Sequence, residues 1–480
     1  MNGLDAVFYA LSDSNVKIVT GVPGFPITEL MDNLGNIKHE WSVNEKVALE
    51  IALGSSVTGQ RSAVITKHVG MNILADPLVT SPTHTIGAGV VIIAGDDIGV
   101  EKSQNEQDSR FYGFIAEVPV YDPSTPQNLY KSITDGFKLS EKVSAPVMIR
   151  VTDRLLNSNG EITRNGRTAV NATFDKKIWH LTMLGKHQRF HRESYPEMCK
   201  YAQSSKLNTY EKRGHFGVIS SGFPSKLVES IIPENFSYLS LTIVNPLPLD
   251  MVNRFIDEHE KILLIEETEP VIEMQLGKRV IGKLTGHVPY GRVETRDIKK
   301  AIENKNKDNV MQNIKPQTIE QRGVRPLCDD CPYLPLYKAI KKLNVPVAGD
   351  LGCSILTSAP PLSLIDAAFS LGSSIGTASG FNRKGIAVIG DFGLAHSGLA
   401  GLINAVHNNH EMLIVVLQND ISAMTGGQRV PDLTDVIKSY IEDTRIIDLR
   451  DEIDIKKLFE EKLNKKGISV ILARAQCPKY

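Results

Sequence analysis

Two short runs, Ile386-Ala387-Val388-Ile389-Gly390-Asp391 and Leu413-Ile414-Val415-Val416-Leu417-Gln418-Asn419-Asp420, decide the fold. Each is a brief, almost wholly apolar stretch rich in β-branched residues and closed by polar ones, which is how a strand buried on both faces reads. Between them Leu399, Leu402, Ile403 and Val406 fall on one face of a helix. The unit is therefore β-α-β with parallel strands, and Asp391 and Asn419 stand at the carboxyl ends of two of them.

The same alternation extends outward. Between Val16 and Val151 lie strand-like Ala63 to Thr66 and Val90 to Ala94, helical spacing from Lys46 to Ser56, and Ile27, Leu30, Met31 and Leu34 at helical spacing after the turn Gly21-Val22-Pro23-Gly24. A basic and aromatic stretch, about Lys176 to Gly214, interrupts the pattern. Phe216 to Ile219 and Ile262 to Ile265 bracket a smaller α/β unit, and a run rich in Lys, Asn and Gln follows. The expected division is an α/β domain over 1–165, an insertion or connection over 166–214, a connecting α/β domain over 215–300, a linker over 301–324 and a last α/β domain over 325–480.

Composition excludes several classes. The 480 residues hold 54 Lys plus Arg against 55 Asp plus Glu, a net charge of -1, so nothing in the charge balance speaks for nucleic acid or an anionic membrane. No apolar run approaches the ~18 residues of a membrane span, and Met1 to Lys17 carries Asp5 and Asp13 rather than a basic region before an apolar one. A cytoplasmic location is expected. Five cysteines in so long a chain do not make a disulfide framework, and only Cys328 and Cys331 form a C-x-x-C pair.

A carboxylate and an amide at adjacent parallel strand ends face the crevice where α/β sheets bind ligands, beside a helix amino end that favours phosphate. Hard oxygen ligands there suit Mg²⁺ bridging to a diphosphate. Gly390-Asp391 with Asn419 matches the thiamine diphosphate motif, in which the Asp, the Asn and the backbone carbonyl two residues past the Asn, here Ile421, hold the metal. A Gly-Asp after a strand is also a common turn.

The surroundings of that motif carry a resemblance. Gly390-Asp391-Phe392-Gly393, His396-Ser397-Gly398, Gly401 to Val406 and Ala423-Met424-Thr425-Gly426-Gly427-Gln428 resemble the thiamine-diphosphate region of the indolepyruvate ferredoxin oxidoreductase alpha subunit family. Asn44-Glu45-Lys46-Val47-Ala48, Lys67-His68-Val69-Gly70-Met71-Asn72, Ala75-Asp76-Pro77 and Ser103 to Arg110 resemble its pyrimidine-binding domain. Asn245-Pro246-Leu247-Pro248 and Glu266-Glu267-Thr268-Glu269-Pro270 resemble its connecting domain.

The resemblance implies a thiamine-diphosphate-binding fold: two doubly wound parallel-sheet α/β domains, one for the pyrimidine and one for the diphosphate, with a smaller α/β connecting domain. It makes Glu45 the glutamate that activates the cofactor through its aminopyrimidine, although a glutamate opening a helix is also favoured by the helix dipole. His68 is a candidate to polarise a substrate carboxylate or carbonyl, or else a structural histidine. Gln104, Glu106, Gln107, Asp108 and Arg110 line the site or an interface, or form a solvated loop. Gly390, Asp391, Phe392, Gly393, Asn419, Thr425, Gly426 and Gly427 are the expected cofactor contacts, and Asp391, Asn419 and Ile421 the Mg²⁺ ligands.

Two departures stand out. In Cys328-Asp329-Asp330-Cys331-Pro332-Tyr333 the family's usual final His is Tyr333. Ile471 to Pro478 resembles the point where the family continues into a cysteine-rich ferredoxin-like domain, and the sequence ends at Tyr480, so no iron-sulfur cluster is expected on this chain. Three functions follow. The chain is the catalytic subunit of a ferredoxin-linked, CoA-dependent 2-oxo acid oxidoreductase with its clusters on an iron-sulfur partner subunit, its substrate a 2-oxo acid, aryl like indolepyruvate among the choices. Or it is a stand-alone non-oxidative decarboxylase or carboligase, or a non-catalytic cofactor-binding subunit. A homodimer is expected, with neither nucleic acid nor membrane as partner.

Overall fold

The β-branched runs become strands and the amphipathic stretches helices in a computed structural model that describes residues 1–170, 172–310 and 327–480. The chain divides into two compact units, Met1–Lys315 and Pro316–Tyr480. Of the expected linker, 311–324 lie outside the described residues.

The first unit is built on a seven-stranded sheet. From one edge its strands are Ile243–Asn245, Val120–Tyr121, Val147–Thr152, Val90–Asp96, Ser62–Lys67, Ile18–Gly21 and His39–Trp41. All neighbours are parallel except the first pair, where Ile243–Asn245 runs antiparallel to Val120–Tyr121. Side chains alternate across a strand, and both faces of Val90–Asp96 are covered: Val91 and Ile93 enter one core, Val90, Ile92 and Ala94 another. Burying each such side chain contributes about 1.5–3 kcal/mol, which is why this strand reads as continuously apolar.

A four-stranded sheet, Lys261–Ile265, Phe216–Ser221, Phe236–Leu241 and Thr209–Glu211, carries the smaller α/β region, its last strand antiparallel to its neighbour. Ile219, Leu239, Leu241, Phe255, Ile262 and Leu264 pack into the same core as Val90 and Ile92. The two sheets share one apolar cluster, and that is what makes Met1–Lys315 a single unit. The basic stretch after Lys176 is a set of short helical segments, Lys176–Trp179, Met183–Arg189, Phe190–Ser194 and Tyr195–Ser204, whose Phe190, Met198 and Ala202 enter the first core. The helix expected over Ile27 to Leu34 is only Thr28–Asp32, yet Ile27 and Leu34 are buried all the same.

The second unit holds a five-stranded, all-parallel sheet ordered Val347–Ala348, Gly385–Gly390, Met412–Gln418, Ile468–Arg474 and Thr444–Asp448. Here too alternation feeds two cores: Ile386, Val388, Leu413 and Val415 one, Ala387, Ile389, Ile414 and Val416 the other. Both large sheets are thus wrapped on two faces, the doubly wound α/β architecture the sequence implies. Among the described residues no helix is long and apolar enough to cross a membrane.

Candidate active site

In the second unit Gly390 pairs with Leu417 at the ends of neighbouring parallel strands, which brings Asp391 against the turn Asn419-Asp420-Ile421. Asp391 Oδ2 accepts the backbone N–H of Asn419 at 2.9 Å and of Asp420 at 2.6 Å, and Oδ1 accepts that of Phe392 at 2.8 Å. Asn419 Oδ1 accepts the N–H of Ile421 at 3.2 Å. Burial pushes the Asp391 carboxyl up to about 6, against those three amides. A carboxylate set against a turn that carries a side-chain amide and a backbone carbonyl makes an all-oxygen donor set, which fits a hard divalent cation such as Mg²⁺. A cation beside Asp391 would also favour the ionised form that burial disfavours.

Thr425, Gly426 and Gly427 turn the two-stranded hairpin of Ile421–Ser422 and Gln428–Arg429, immediately past Asn419. Thr425 Oγ1 and Ser422 Oγ are 2.7 Å apart, and the Gln428 amide donates to the Thr425 carbonyl at 3.1 Å. Gly427 has φ +77°, and a Cβ there would stand 2.7 Å from the Tyr480 ring. Gly390, Phe392 and Gly393 lie at the strand end and the first helical turn after it.

Asp350 was not singled out by sequence reasoning. It stands at the end of the neighbouring strand, completely buried, its Oδ1 accepting N–H groups of Leu351 at 2.8 Å and Gly372 at 2.5 Å, while Oδ2 has no partner among the described residues. Burial pushes it too up to about 6. A Cβ on Gly393 would collide with Oδ2, so the glycine clears room for this carboxyl. The available signal was Gly349-Asp350 itself, another Gly-Asp at the end of a strand.

Tyr333 is buried and donates to the Ala475 carbonyl at 3.3 Å; burial, then the Asp391 charge, holds its phenol neutral. Cys353 is pushed up to about 12 by burial and then by neighbouring Cys331, Cys477 and Cys328, so it is a neutral thiol. Among the described residues no group of three or more His, Cys, Asp or Glu is arranged to hold a metal ion.

In the first unit Glu45 opens the helix Glu45–Val57, capped by the Asn44 side chain, which accepts the N–H of Val47 at 2.9 Å. Glu45 is buried, and a Cβ on Gly70 would collide with its carboxylate and with Thr66 Oγ1. His68 is fully buried: Nδ1 accepts the N–H of Asp97 at 3.3 Å and Nε2 donates to the Asn105 carbonyl at 3.0 Å. Both nitrogens are engaged with backbone, so His68 ties the strand ends to the 105 loop.

The polar run past Ser103 divides in two. Gln104 is exposed and Glu106 and Gln107 are half-buried, whereas Asp108 and Arg110 are fully buried. Arg110 donates to Asp108 Oδ2 at 2.6 Å and to Glu266 Oε2 at 2.9 Å, and Arg150 to Asp96 Oδ2 at 2.6 Å. Burial alone would raise Asp108, but Arg110 and Arg150 hold it well below the carboxylate range. This half is an internal ion network.

Residues 350–471 match the family described as thiamine pyrophosphate enzyme, C-terminal TPP binding domain. The chain is 32% identical to the indolepyruvate oxidoreductase subunit IorA of Methanothermobacter marburgensis, over 90% of this chain and 76% of that one. To the protein of the same name from Archaeoglobus fulgidus it is 29% identical over 99% of this chain and 86% of that one. Among solved structures, the 2-oxoglutarate:ferredoxin oxidoreductase of Magnetococcus marinus superposes with a TM-score of 0.53 at 14% identity, covering 64% of this chain and 65% of that one. Together with the parallel sheets, these likenesses make the fold an α/β thiamine-diphosphate-binding fold.

Proposed function

This chain belongs to the family of the indolepyruvate oxidoreductase subunit IorA, and from that premise we propose how its residues act and on what. It is an enzyme, a thiamine-diphosphate-dependent 2-oxo acid oxidoreductase. The finer reading is that it decarboxylates an aryl 2-oxo acid such as indolepyruvate with the help of Mg²⁺. The acyl group passes to CoA and the electrons to ferredoxin through iron-sulfur clusters of a partner subunit, the chain itself pairing as a homodimer. The relatives' names, as subunits of an indolepyruvate oxidoreductase, support the substrate class and the partner.

The observation that carries the reading is the knot in which Asp391, Asn419 and Ile421 meet at two parallel strand ends. These three would hold Mg²⁺, with Gly390, Phe392, Gly393, Thr425, Gly426 and Gly427 around the diphosphate, where glycines allow close backbone approach. Bound thiamine diphosphate supplies a carbon nucleophile and an electron sink for decarboxylation. Glu45 would exchange a proton with the aminopyrimidine ring nitrogen, its burial keeping water from competing. His68, its nitrogens spent on backbone, serves to position that end of the sheet.

The test is an anaerobic assay with thiamine diphosphate, Mg²⁺ and a panel of 2-oxo acids, following carbon dioxide, aldehyde and CoA-dependent viologen reduction together. Reduction that needs CoA and is fastest with aryl substrates is expected once the partner is supplied. Aldehyde release without any acceptor would replace the oxidative reading by a non-oxidative decarboxylase. Light scattering on the same preparation reads the dimer.

A further inference from the structure

We propose that Lys67 binds the carboxylate of the 2-oxo acid and so helps set which substrates are accepted; the inference rests on the reading of Glu45 given above. Lys67 closes the strand Ser62–Lys67 in register with Gly95 of the next strand, at the carboxyl end where sheets of this kind place ligands. Its stem lies against the loop before the helix Thr28–Asp32: a Cβ on Gly24 would stand 2.5 Å from Lys67 Cδ. Three residues on, Gly70 clears space in the same way for the Glu45 carboxylate. Two bare glycines thus leave room for the lysine stem and for the glutamate carboxylate at one end of one sheet.

The ammonium makes no hydrogen bond or ion pair with any described residue. The charges that act on it are Asp97 and Glu45, and Asp97 has both oxygens occupied, accepting the N–H groups of Glu101 and Lys102 at 2.9 Å each. Burial lowers the Lys67 pKa against those two carboxylates. Lys102, the other cation of this loop cluster, sits 4.3 Å over the Phe25 ring. Lys67 therefore offers three unused donors on a partly desolvated positive charge, and an arriving carboxylate offsets that desolvation. The carboxylate keeps its charge from binding until carbon dioxide departs, so the contact stabilises the bound acid and the barrier to its reaction alike. Its removal should raise KM and leave kcat in place.

The test compares K67M and K67R with the unaltered chain by calorimetry, using oxamate, an unreactive 2-oxo acid isostere, and its uncharged methyl ester, with and without thiamine diphosphate and Mg²⁺. A charge-assisted hydrogen bond predicts that K67M weakens oxamate by about 10- to 100-fold, leaves the ester and the cofactor unaffected, and raises KM by a similar factor at unchanged kcat. K67R should retain oxamate within about fivefold, since it keeps the charge. Undiminished oxamate binding by K67M overturns the proposal, and so does equal loss of oxamate, ester and cofactor, the mark of a structural role. Failure of the unaltered chain to bind thiamine diphosphate would appear in the cofactor titration alone, and would overturn the wider reading along with this one.

Discussion

Glu45 and Asp350 are both buried acids, and they differ in what the sequence says of them. Glu45 follows a capping Asn and opens a helix, so its place could be read from neighbours four residues away. Replacing it by Gln keeps the shape and removes the proton, and a fall in decarboxylation rate of ~10²-fold or more is expected with cofactor affinity within a few-fold. An E45Q enzyme of normal rate would remove Glu45 from the proton path. Asp350 owes its character to Gly372 and Gly393, more than twenty residues away, and no local pattern announces that. Its carboxyl is raised from 3.8 to about 6, so its contribution to stability is fully present below pH ~4 and is lost as the pH rises through 6. The D350N variant should match the unaltered apo-chain near pH 4 and exceed it above pH 6, by an amount on the order of 2–3 kcal/mol in denaturant unfolding. A pH-independent difference would mean that Asp350 does not titrate in this window.

At the scale of elements, what the sequence showed best was periodicity. The strands Gly385–Gly390 and Met412–Gln418 were legible because each must fill two cores at once, and the helix Glu45–Val57 because its spacing and cap agree. What it hid was pairing between distant pieces. Ile243–Asn245 joins the edge of the first sheet antiparallel to Val120–Tyr121, a contact across more than a hundred residues that its three residues cannot specify. The hairpin after Asn419 is likewise short, and its turn depends on Gly427 at φ +77° under the Tyr480 ring. Alanine there adds about 1–2 kcal/mol of backbone strain to a clash with that ring. G427A should therefore weaken binding of Mg²⁺ and thiamine diphosphate, and a further Y480A should restore only the part due to the clash. Calorimetric titration showing G427A equal to the unaltered chain would take the hairpin out of the site.

Across the whole molecule the first unit carries the larger electrostatic risk. Arg110 and Arg150 are fully buried among Asp96, Asp108, Asp122 and Glu266, and through Glu266 the network joins the large sheet to the small one. Such a network holds only while every member is matched: taking out one cation leaves buried carboxylates uncompensated, at about 3–5 kcal/mol. The second unit has its own two cores and does not share this dependence. The chain's two tryptophans, Trp41 and Trp179, both lie in the first unit, so their fluorescence reports on that unit alone, whereas far-ultraviolet circular dichroism reads both. In guanidinium chloride, R110M should move the fluorescence midpoint to lower denaturant. The dichroism trace should split, its early step following the tryptophans and its late step staying where the unaltered chain loses its last helix. If both probes shift together in one transition, the two units unfold as one, and the stability of the diphosphate half depends on a network none of its residues belongs to.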